Sequence, residues 1–250
     1  YSPHRYITDN LDKIHTAGVH CNVEQAIKAT LVLDLEKSFH FHMEQGWEDT
    51  IVKNAKYPFW IGIDKPKLKN NYDHLLHIPN FYEFKHNKDV VDNNIVGFAA
   101  RMETRKCPHF LQGIKSELTT DPKDVLWWKR NLDIDTTDWK IYKFNYEFLG
   151  KFYNRDWGIS HSAHIFEPFG YSIFQAIDYG KLPILAKDWL PKYDYPFRAQ
   201  SPEEFKEQYE TICKLSTKER QEYLVPLRDY LRKFDNKQQW TEQLLKLYNE

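Results

Sequence analysis

One segment of this 250-residue chain carries most of its structural information: Glu167-Pro-Phe-Gly-Tyr-Ser-Ile-Phe-Gln175-Ala-Ile-Asp-Tyr-Gly180-Lys-Leu-Pro-Ile-Leu185. Its pattern predicts a tight turn after the acidic residue, a short amphipathic helix, a glycine that stops the helix, and a buried strand. Glu167 comes just before the helix N-terminus, where free backbone N–H groups and the helix dipole favour phosphate. Gln175 follows two helical turns later. The segment therefore predicts an anion-binding loop at the start of a helix.

Strands and helices alternate through the C-terminal part of the chain. Apolar or alternating stretches predict strands over residues 94–100, 139–144, 157–161 and 182–186. A helix is predicted after the first of these strands, with Phe110, Leu111, Ile114 and Leu118 on one face. Alternation of this kind predicts an α/β fold, in which a parallel sheet has helices on both faces and binds ligands at the carboxyl ends of its strands.

The two ends of the chain give further expectations. Near the N-terminus we expect a helix over about 20–28 and strands over 29–34 and 58–62, and residues 76–89 have the composition of an interdomain connection. Toward the C-terminus, capping-box patterns begin helices after Ser201 and Ser216. The second of these helices is expected to be interrupted or kinked near Pro226. A last helix is expected around Trp240.

A basic loop is the second group of residues with evident chemistry. It runs from Gly97 through Arg101 to Lys106, after a predicted strand. A guanidinium fork and an ammonium point charge one loop apart can bracket a diphosphate. Such a pair can stabilise a departing nucleoside diphosphate without a metal. A solvated basic turn is the alternative interpretation, and the acidic segment that follows about 65 residues later favours the diphosphate site.

The basic loop followed by the acidic segment resembles the donor-binding half of retaining glycosyltransferases with the GT-B fold. That family has a Glu-x7-Glu signature, and Gln175 stands here at its second glutamate. The resemblance implies an α/β, GT-B-like fold of two Rossmann-like halves with parallel sheets, and a C-terminal helix that crosses back. It divides the chain into an N-terminal acceptor-side half (1–88), a donor-binding domain (89–235) and the crossing helix (236–250). Since the chain begins at Tyr1, we expect an N-terminal half that is short or truncated.

The resemblance also implies a role for each matching residue. Arg101 and Lys106 would hold the donor diphosphate, with Gly97 in the strand before them, and Glu167 would contact the hydroxyls of the transferred sugar. The turn of Phe169, Gly170, Tyr171 and Ser172 would present backbone N–H groups to sugar and phosphate, and Gln175 would take the ribose position. Because an amide offers one acceptor and one donor where a carboxylate offers two acceptors, nucleotide preference would change. His161 and His164 either touch the donor sugar or are structural. Transfer would retain anomeric configuration, with no obligatory protein nucleophile.

A narrower similarity points to an acceptor. Residues 152–161 and 171–175 resemble the T-even phage DNA glucosyltransferases, which act on hydroxymethylcytosine or on glucose already attached to it. This implies UDP-glucose as donor and double-stranded DNA with modified cytosine as partner. Alternatives are a transferase for a bacterial polysaccharide or lipid-linked sugar, a non-catalytic nucleotide-sugar-binding module, and an unrelated α/β protein with a chance match.

Composition sets the remaining limits. A formal net charge of −1 gives no global attraction for nucleic acid or anionic membranes, so DNA would need a local basic patch. Three cysteines without CxxC spacing indicate neither a zinc site nor a disulfide framework. His40 and His42 have no third metal ligand at fixed spacing, and we expect no metal and no other cofactor. No apolar run is long enough to span a membrane, which predicts a cytoplasmic protein, in the host cytoplasm if the gene belongs to a phage.

Overall fold

The computed structural model describes residues 17–20, 38–42, 57–60, 62–64, 73, 76–165, 167 and 169–249. The chain divides into two compact units. The first unit contains Tyr1–Phe81 and Asn236–Glu250, and the second contains Tyr82–Asp235. The assignment of acceptor-side and donor-side roles to parts of the chain stays a prediction.

Parallel pairing builds the sheet of the first unit. Its four strands are β1 (Ala17–His20), β2 (Ser38–His42), β3 (Tyr57–Trp60) and β4 (Leu76–His77), in the spatial order β1-β2-β3-β4. Every pairing in it is parallel. The predicted strand over 58–62 corresponds to β3. The predicted strand over 29–34 lies outside the described residues, as does the predicted helix over 20–28 apart from His20, which ends β1.

The second unit contains a six-stranded parallel sheet. Its strands are β5 (Val96–Ala99), β6 (Ser116–Thr120), β7 (Trp139–Lys143), β8 (Ile159–Ser162), β9 (Leu182–Ala186) and β10 (Arg198–Ala199). Their spatial order is β10-β9-β8-β5-β6-β7, and all pairings are parallel. The chain therefore leaves β5 toward one side of the sheet and later returns to build the other side from β8. The boundary between β5 and β8 is the switch point at which open α/β sheets bind ligands.

Helices connect these strands and complete the first unit. They are α1 (Pro122–Leu132), α2 (Tyr146–Tyr153), α3 (Tyr171–Asp178), α4 (Pro202–Cys213), α5 (Thr217–Leu231) and α6 (Lys237–Asn249). Polar caps begin four of them: the side chains of Asp121, Asn145, Ser201 and Ser216 each accept a hydrogen bond from a backbone N–H in the first turn. Ser216 and Glu219 form the full capping box that the sequence predicts. Helix α5 runs through Pro226 to Leu231, so the expected interruption is wrong, while the alternative of a kink at Pro226 stays a prediction.

The helix predicted after the basic loop is wrong. Two short 3₁₀ turns occupy Thr104–Lys106 and Pro108–Leu111, and Leu118 lies in strand β6. The second turn ends at Leu111, before the extended Gln112, and the φ of +70° at Gly113 is not compatible with a right-handed helix. All five residues of β6 are buried, as expected for a parallel strand covered on both faces. Only Leu118 of the four apolar residues that predicted the helix belongs to β6. The other β6 residues are buried polar side chains, so the strand lacks the alternation that identifies a half-exposed one.

A buried carboxylate anchors the start of the second unit to α3. Asp178 has no exposed surface and accepts hydrogen bonds from the backbone N–H groups of Lys85, His86 and Asn87, at 2.7 to 3.1 Å. The hydroxyl of Tyr82 donates to the same carboxylate at 3.2 Å. Burial, together with the charge of Asp178, raises the pKa of the Tyr82 hydroxyl. These bonds hold residues 82–87 against the C-terminal end of α3, and the N-terminal end of α3 lies at the candidate site.

Candidate active site

Two loops at the carboxyl edge of the six-stranded sheet meet at its switch point. One follows β5 and contains the 3₁₀ turn Thr104–Lys106, and the other follows β8 and leads into α3. Lys106 and Glu167 lie 61 residues apart in sequence, yet the Lys106 ammonium donates to the Glu167 carboxylate. Their side chains are only 17% and 15% exposed. The structure thus brings together one residue from each of the two predicted motifs.

Glu167 is held in its ionised form. Lys106 Nζ and His164 Nδ1 both approach the same carboxylate oxygen, Oε2, the latter at 3.2 Å. Burial alone would raise the pKa of the Glu167 carboxyl, but the hydrogen bond from His164 and the charge of Lys106 overcome it and hold the pKa at about 2. No described residue donates to the other oxygen, Oε1. A buried anion with one oxygen open to hydrogen bonding can accept a hydroxyl of a ligand.

His164 is a neutral donor to this carboxylate. Its side chain is 2% exposed, and burial lowers its pKa more than the bond to Glu167 raises it. Because a neutral imidazole has one N–H, the bond to Glu167 requires the proton on Nδ1. Nε2 is then a bare acceptor, and it is buried without a hydrogen-bond partner among the described residues.

The two predicted diphosphate-binding cations, Arg101 and Lys106, differ in exposure and in ion-pair partner. The Arg101 side chain is 83% exposed and lies 3.5 Å from Glu103 Oε1, whereas Lys106 is largely buried against Glu167. Arg105 also pairs with Glu103, its Nε lying 2.7 Å from Oε2. Although partial burial opposes it, the hydrogen bond and charge of Arg105 lower the pKa of the Glu103 carboxyl. Lys106 is therefore the cation of this loop that already faces the acidic segment.

His161 supports the basic loop from inside the protein. It is 2% exposed, and its Nε2 bonds the backbone oxygen of Cys107 at 2.8 Å. Phe110 and Phe205 pack on its ring, with centroids 5.8 and 4.7 Å away. Burial, with a smaller effect from the neighbouring His164, lowers the pKa of His161 to about 3. The residue that follows Lys106 is thereby anchored, and the contact of His161 with a donor sugar stays a prediction.

The turn before α3 presents backbone at the site. Gly170 is the N-cap of α3 with φ 81° and ψ 54°, a conformation that residues with a Cβ rarely adopt. A Cβ at Gly170 would lie 2.8 Å from Ile173 Cδ1 and 3.2 Å from Glu167 Cγ. Phe169 is buried and stacks on Phe174 of α3, with ring centroids 4.6 Å apart, and this contact holds the turn against the helix. Ser172 is half-buried and Tyr171 is exposed, so the first turn of the helix is open to a ligand.

Gly97 lies within β5 and not in the loop. A Cβ on it would come within 2.2 Å of the Trp157 indole, which is itself 1% exposed. The absence of a side chain therefore lets Trp157 pack directly on the central strand. The role of Gly97 in donor binding stays a prediction.

The sequence has no match to a protein-family model and none among the curated proteins. Solved structures do match. Anabaena HepE, solved with UDP and glucose, aligns with a TM-score of 0.72 at 12% identity, over 98% of this chain and 81% of its own. S. aureus TarM, solved with UDP, aligns with 0.73 at 12% identity, and this chain spans 58% of its length. An alpha-glucosyltransferase, solved with UDP and a 13-mer DNA containing a HMU base, aligns with 0.63 at 10% identity, over all of this chain and 84% of its own.

The chain has the GT-B fold. The predicted fold class is thereby confirmed, including parallel sheets in both units. Within the GT-B fold, Lys106 and Glu167 occupy the switch-point edge of the second unit. Gln175, at the position of the second signature glutamate, is half-buried on α3. Its amide makes no hydrogen bond to another described residue, which leaves it available to a ligand.

An aromatic cavity lies on the same edge of this GT-B sheet, and sequence reasoning missed it. It follows β7, has a volume of about 530 Å³, and is lined by Lys143, Phe144, Asn145, Tyr146 and Phe148. The rings of Phe144 and Tyr146 are 40% and 83% exposed and meet edge to face at 5.0 Å. The available signal was one aromatic residue at the end of the predicted strand 139–144 and a second, Tyr146, just after it, since strand ends carry ligand contacts in α/β folds.

The described part of the chain offers neither a metal site nor a membrane span. No group of three or more His, Cys, Asp or Glu side chains there could hold a metal ion. None of the described helices of this GT-B chain is long and apolar enough to cross a membrane.

Proposed function

We propose that this protein is a retaining glycosyltransferase that moves glucose from UDP-glucose to a hydroxyl acceptor. One observation carries the proposal: an ionised, largely buried carboxylate and a buried ammonium meet at the switch point of a GT-B fold. A sugar diphosphate needs both kinds of group, a cation for its phosphates and an acceptor for its hydroxyls. Neighbours of the same fold were solved with UDP, which supports the class of donor.

In the proposed reaction, Lys106 leaves Glu167 and binds the diphosphate, with Arg101 as a second cation. Oε1 of Glu167 accepts a hydrogen bond from a sugar hydroxyl. The bond between the sugar C1 and the phosphate oxygen breaks, and the acceptor oxygen bonds C1 on the same face. The acceptor proton passes to the departing phosphate oxygen, so no residue of the chain has to act as nucleophile. Charge neutralisation by preorganised cations lowers the barrier.

The aromatic cavity is the proposed site of the nucleoside base. Strand β7 lies two strands from β5, which places the cavity about 10 Å from the Lys106 loop along the edge of the sheet. That spacing suits a base joined to its diphosphate through a ribose. Stacking on Phe144 or Tyr146 would contribute about 1–3 kcal/mol, as base–aromatic contacts do elsewhere.

For the acceptor we propose hydroxymethylcytosine or glucosyl-hydroxymethylcytosine in double-stranded phage DNA, in the cytoplasm of the host. The similarity of residues 152–161 and 171–175 to phage DNA glucosyltransferases supports this choice. So does the structural neighbour that was solved with DNA. A bacterial polysaccharide or lipid-linked sugar is the competing acceptor, and a non-catalytic nucleotide-sugar-binding module is the competing function.

The test measures binding and transfer separately. Calorimetry with UDP and UDP-glucose measures donor binding. Transfer of labelled glucose is then followed to three duplexes: unmodified, containing hydroxymethylcytosine, and already glucosylated. We expect binding of both nucleotides, label in only one modified duplex, and unchanged transfer in the presence of EDTA. The anomeric coupling constant of the product reports retention.

Each other outcome discriminates between the alternatives. Donor binding without label in any duplex would exclude DNA and direct the search to polysaccharide acceptors. Failure with those acceptors as well would favour the non-catalytic module. A chain that binds neither UDP nor UDP-glucose would refute the donor assignment.

A further inference from the structure

The two donors to Glu167 converge on one oxygen. Lys106 Nζ and His164 Nδ1 both bond Oε2, and no described residue bonds Oε1. The two donors, Lys106 and His164, differ in how strongly a diphosphate would attract them. Lys106 is attached to the loop after β5 and carries a charge that a diphosphate would attract. His164 is three residues before Glu167 in the same loop, is buried, and carries no charge that would draw it to a phosphate.

The surroundings of His164 favour one protonation state of its imidazole. Glu167, Lys106 and Arg105 are the charged groups that act on it, and the ring of His161 lies 5.6 Å away. Phe98 packs edge to face against it from strand β5 at 6.2 Å. Burial and the two cations disfavour a second proton more than the carboxylate favours it, so the pKa of His164 is below its ordinary value. The imidazole is therefore an Nδ1–H donor over the neutral pH range.

We propose that His164 is the positioning residue of this site: it holds Glu167 Oε2 in place when Lys106 transfers to the donor diphosphate, so that Oε1 stays aimed at the sugar. This inference rests on the proposed function and extends it to a residue that does not itself contact the substrate. We expect the exchange of partners because a diphosphate carries more negative charge than one carboxylate and attracts the Lys106 ammonium more strongly. After the exchange, His164 is the remaining described donor to that carboxylate.

The test uses side chains that differ in where they present an N–H. The amide nitrogen of asparagine stands at the same number of bonds from Cα as Nδ1 of histidine, whereas that of glutamine stands one bond further out. We compare His164→Ala, His164→Asn and His164→Gln with the wild type and with His86→Ala. His86 is exposed, and the substitution keeps its backbone N–H, which bonds Asp178, and removes only a ring contact with Tyr179.

The first readout is the gain in affinity of UDP-glucose over UDP, which isolates the contribution of the sugar. We expect UDP to bind all variants within about 3-fold of the wild type. We expect His164→Ala and His164→Gln to lose the sugar-dependent gain, and His164→Asn and His86→Ala to keep it. In the transfer assay, His164→Ala is expected to lower kcat about 100-fold, as misplacement of a reacting group does, and to raise the KM for UDP-glucose by the factor of affinity that it loses.

The second readout requires no activity. The carboxyl carbon of Glu167, followed by carbon NMR during titration, is expected to titrate at higher pH in His164→Ala than in the wild type and near the wild-type value in His164→Asn. The acid limb of kcat/KM should move in the same direction. Thermal melting of each variant identifies any that fails to fold. If His164→Ala does not fold, the comparison is made between His164→Asn and His164→Gln, which are both polar and able to hydrogen-bond.

The outcomes separate the two proposals. If the wild type binds no UDP, the proposed function fails, and the NMR titration still decides whether His164 holds Glu167. If the wild type binds and transfers while folded His164→Ala keeps the sugar-dependent gain and the wild-type titration of Glu167, the positioning role is refuted. The positioning role is refuted equally if folded His164→Asn is as impaired as His164→Gln.

Discussion

At the scale of single residues, the candidate site is a set of paired charged and polar groups. A buried carboxylate costs several kcal/mol unless cations and N–H donors compensate it, and Glu167 has one of each. The same contact neutralises the charge of the Lys106 ammonium. A donor molecule therefore has to replace an existing ion pair, which makes the contribution of each partner measurable.

The two predicted diphosphate ligands of the basic loop, Lys106 and Arg101, should contribute unequally to UDP binding. Lys106→Ala removes a largely buried charge and should weaken UDP binding about 10- to 100-fold, the range for charged hydrogen bonds. Arg101→Ala removes an exposed charge and should weaken it less than about 5-fold, because solvent screens it. Calorimetry with UDP measures both. Lys115→Ala, an exposed lysine just before β6, is the control, and equal losses at Lys106 and Arg101 would contradict this ranking.

Gln175 provides a gain-of-affinity test. Its amide has no described hydrogen-bond partner, so Gln175→Glu breaks no described contact and restores the carboxylate of the resembled signature. We expect UDP to bind about 3- to 10-fold more tightly, since a carboxylate accepts stronger hydrogen bonds from ribose hydroxyls than an amide does. The measurement is the Kd for UDP. A large loss of affinity would mean that the glutamine amide itself donates to the nucleotide.

At the scale of elements, close packing sets the position of the loops. Trp157 lies over Gly97, and its Nε1–H donates to the backbone oxygen of Phe152 at 2.9 Å. The loop that leads from α2 into β8 is thereby fixed on β5. Since β5 and β8 form the switch point, this contact supports both loops of the site.

A methyl group at Gly97 should be costly. Gly97→Ala would place Cβ 2.2 Å from the indole, so Trp157 would have to move. We expect a loss of about 1–3 kcal/mol in the free energy of unfolding, the range for overpacked cores. Urea denaturation measures it. Gly150→Ala in α2 is the matched control, because its Cβ would meet its nearest neighbour, the Tyr179 hydroxyl, at 3.7 Å, and alanine favours helix. A Gly97→Ala variant as stable as wild type would refute the packing argument.

At the scale of the whole molecule, buried histidines make stability depend on pH. The pKa of His161 is about 3 and that of His164 is lowered, both through burial. In the unfolded chain both protonate near 6.5, so the unfolded state binds more protons below that pH. Stability is then fully present above about pH 6.5 and declines as the pH falls toward 3. Glu167, with a pKa of about 2 against an ordinary 4.5, adds a further loss below about pH 4.5.

The measurement is the free energy of unfolding in urea between pH 7.5 and 4.5. We expect the wild type to lose up to about 1.4 kcal/mol per pH unit for each histidine that titrates. His161→Phe fits among Phe98, Phe110 and Phe205 and should remove one such contribution while sacrificing the bond to Cys107. The variant should be less dependent on pH than the wild type. Identical slopes in the two proteins would show that His161 is protonated when folded.

The amino-acid sequence by itself determined the class of fold and the elements of the candidate site. Strands β5, β7, β8 and β9 and helix α3 follow from apolar periodicity, caps and glycine stops, all of which act over a few residues. The two polar motifs were also visible, because each lies directly before or after such an element. Interactions between residues near in sequence are enough to predict an element when its pattern is local. The prediction failed at β6, whose uniform burial removes the alternation that marks a strand.

Only the tertiary structure decided which of the predicted residues meet. Lys106 reaches Glu167 across 61 residues because β5 pairs with β8 at the switch point, and strand order is set by packing of the whole sheet. The same packing buries His161 and His164, exposes Arg101, and directs one oxygen of Glu167 toward His164. The contact of Lys106 with Glu167 and the burial of the two histidines depend on residues distant in sequence, and no pattern of spacing along the chain encodes them.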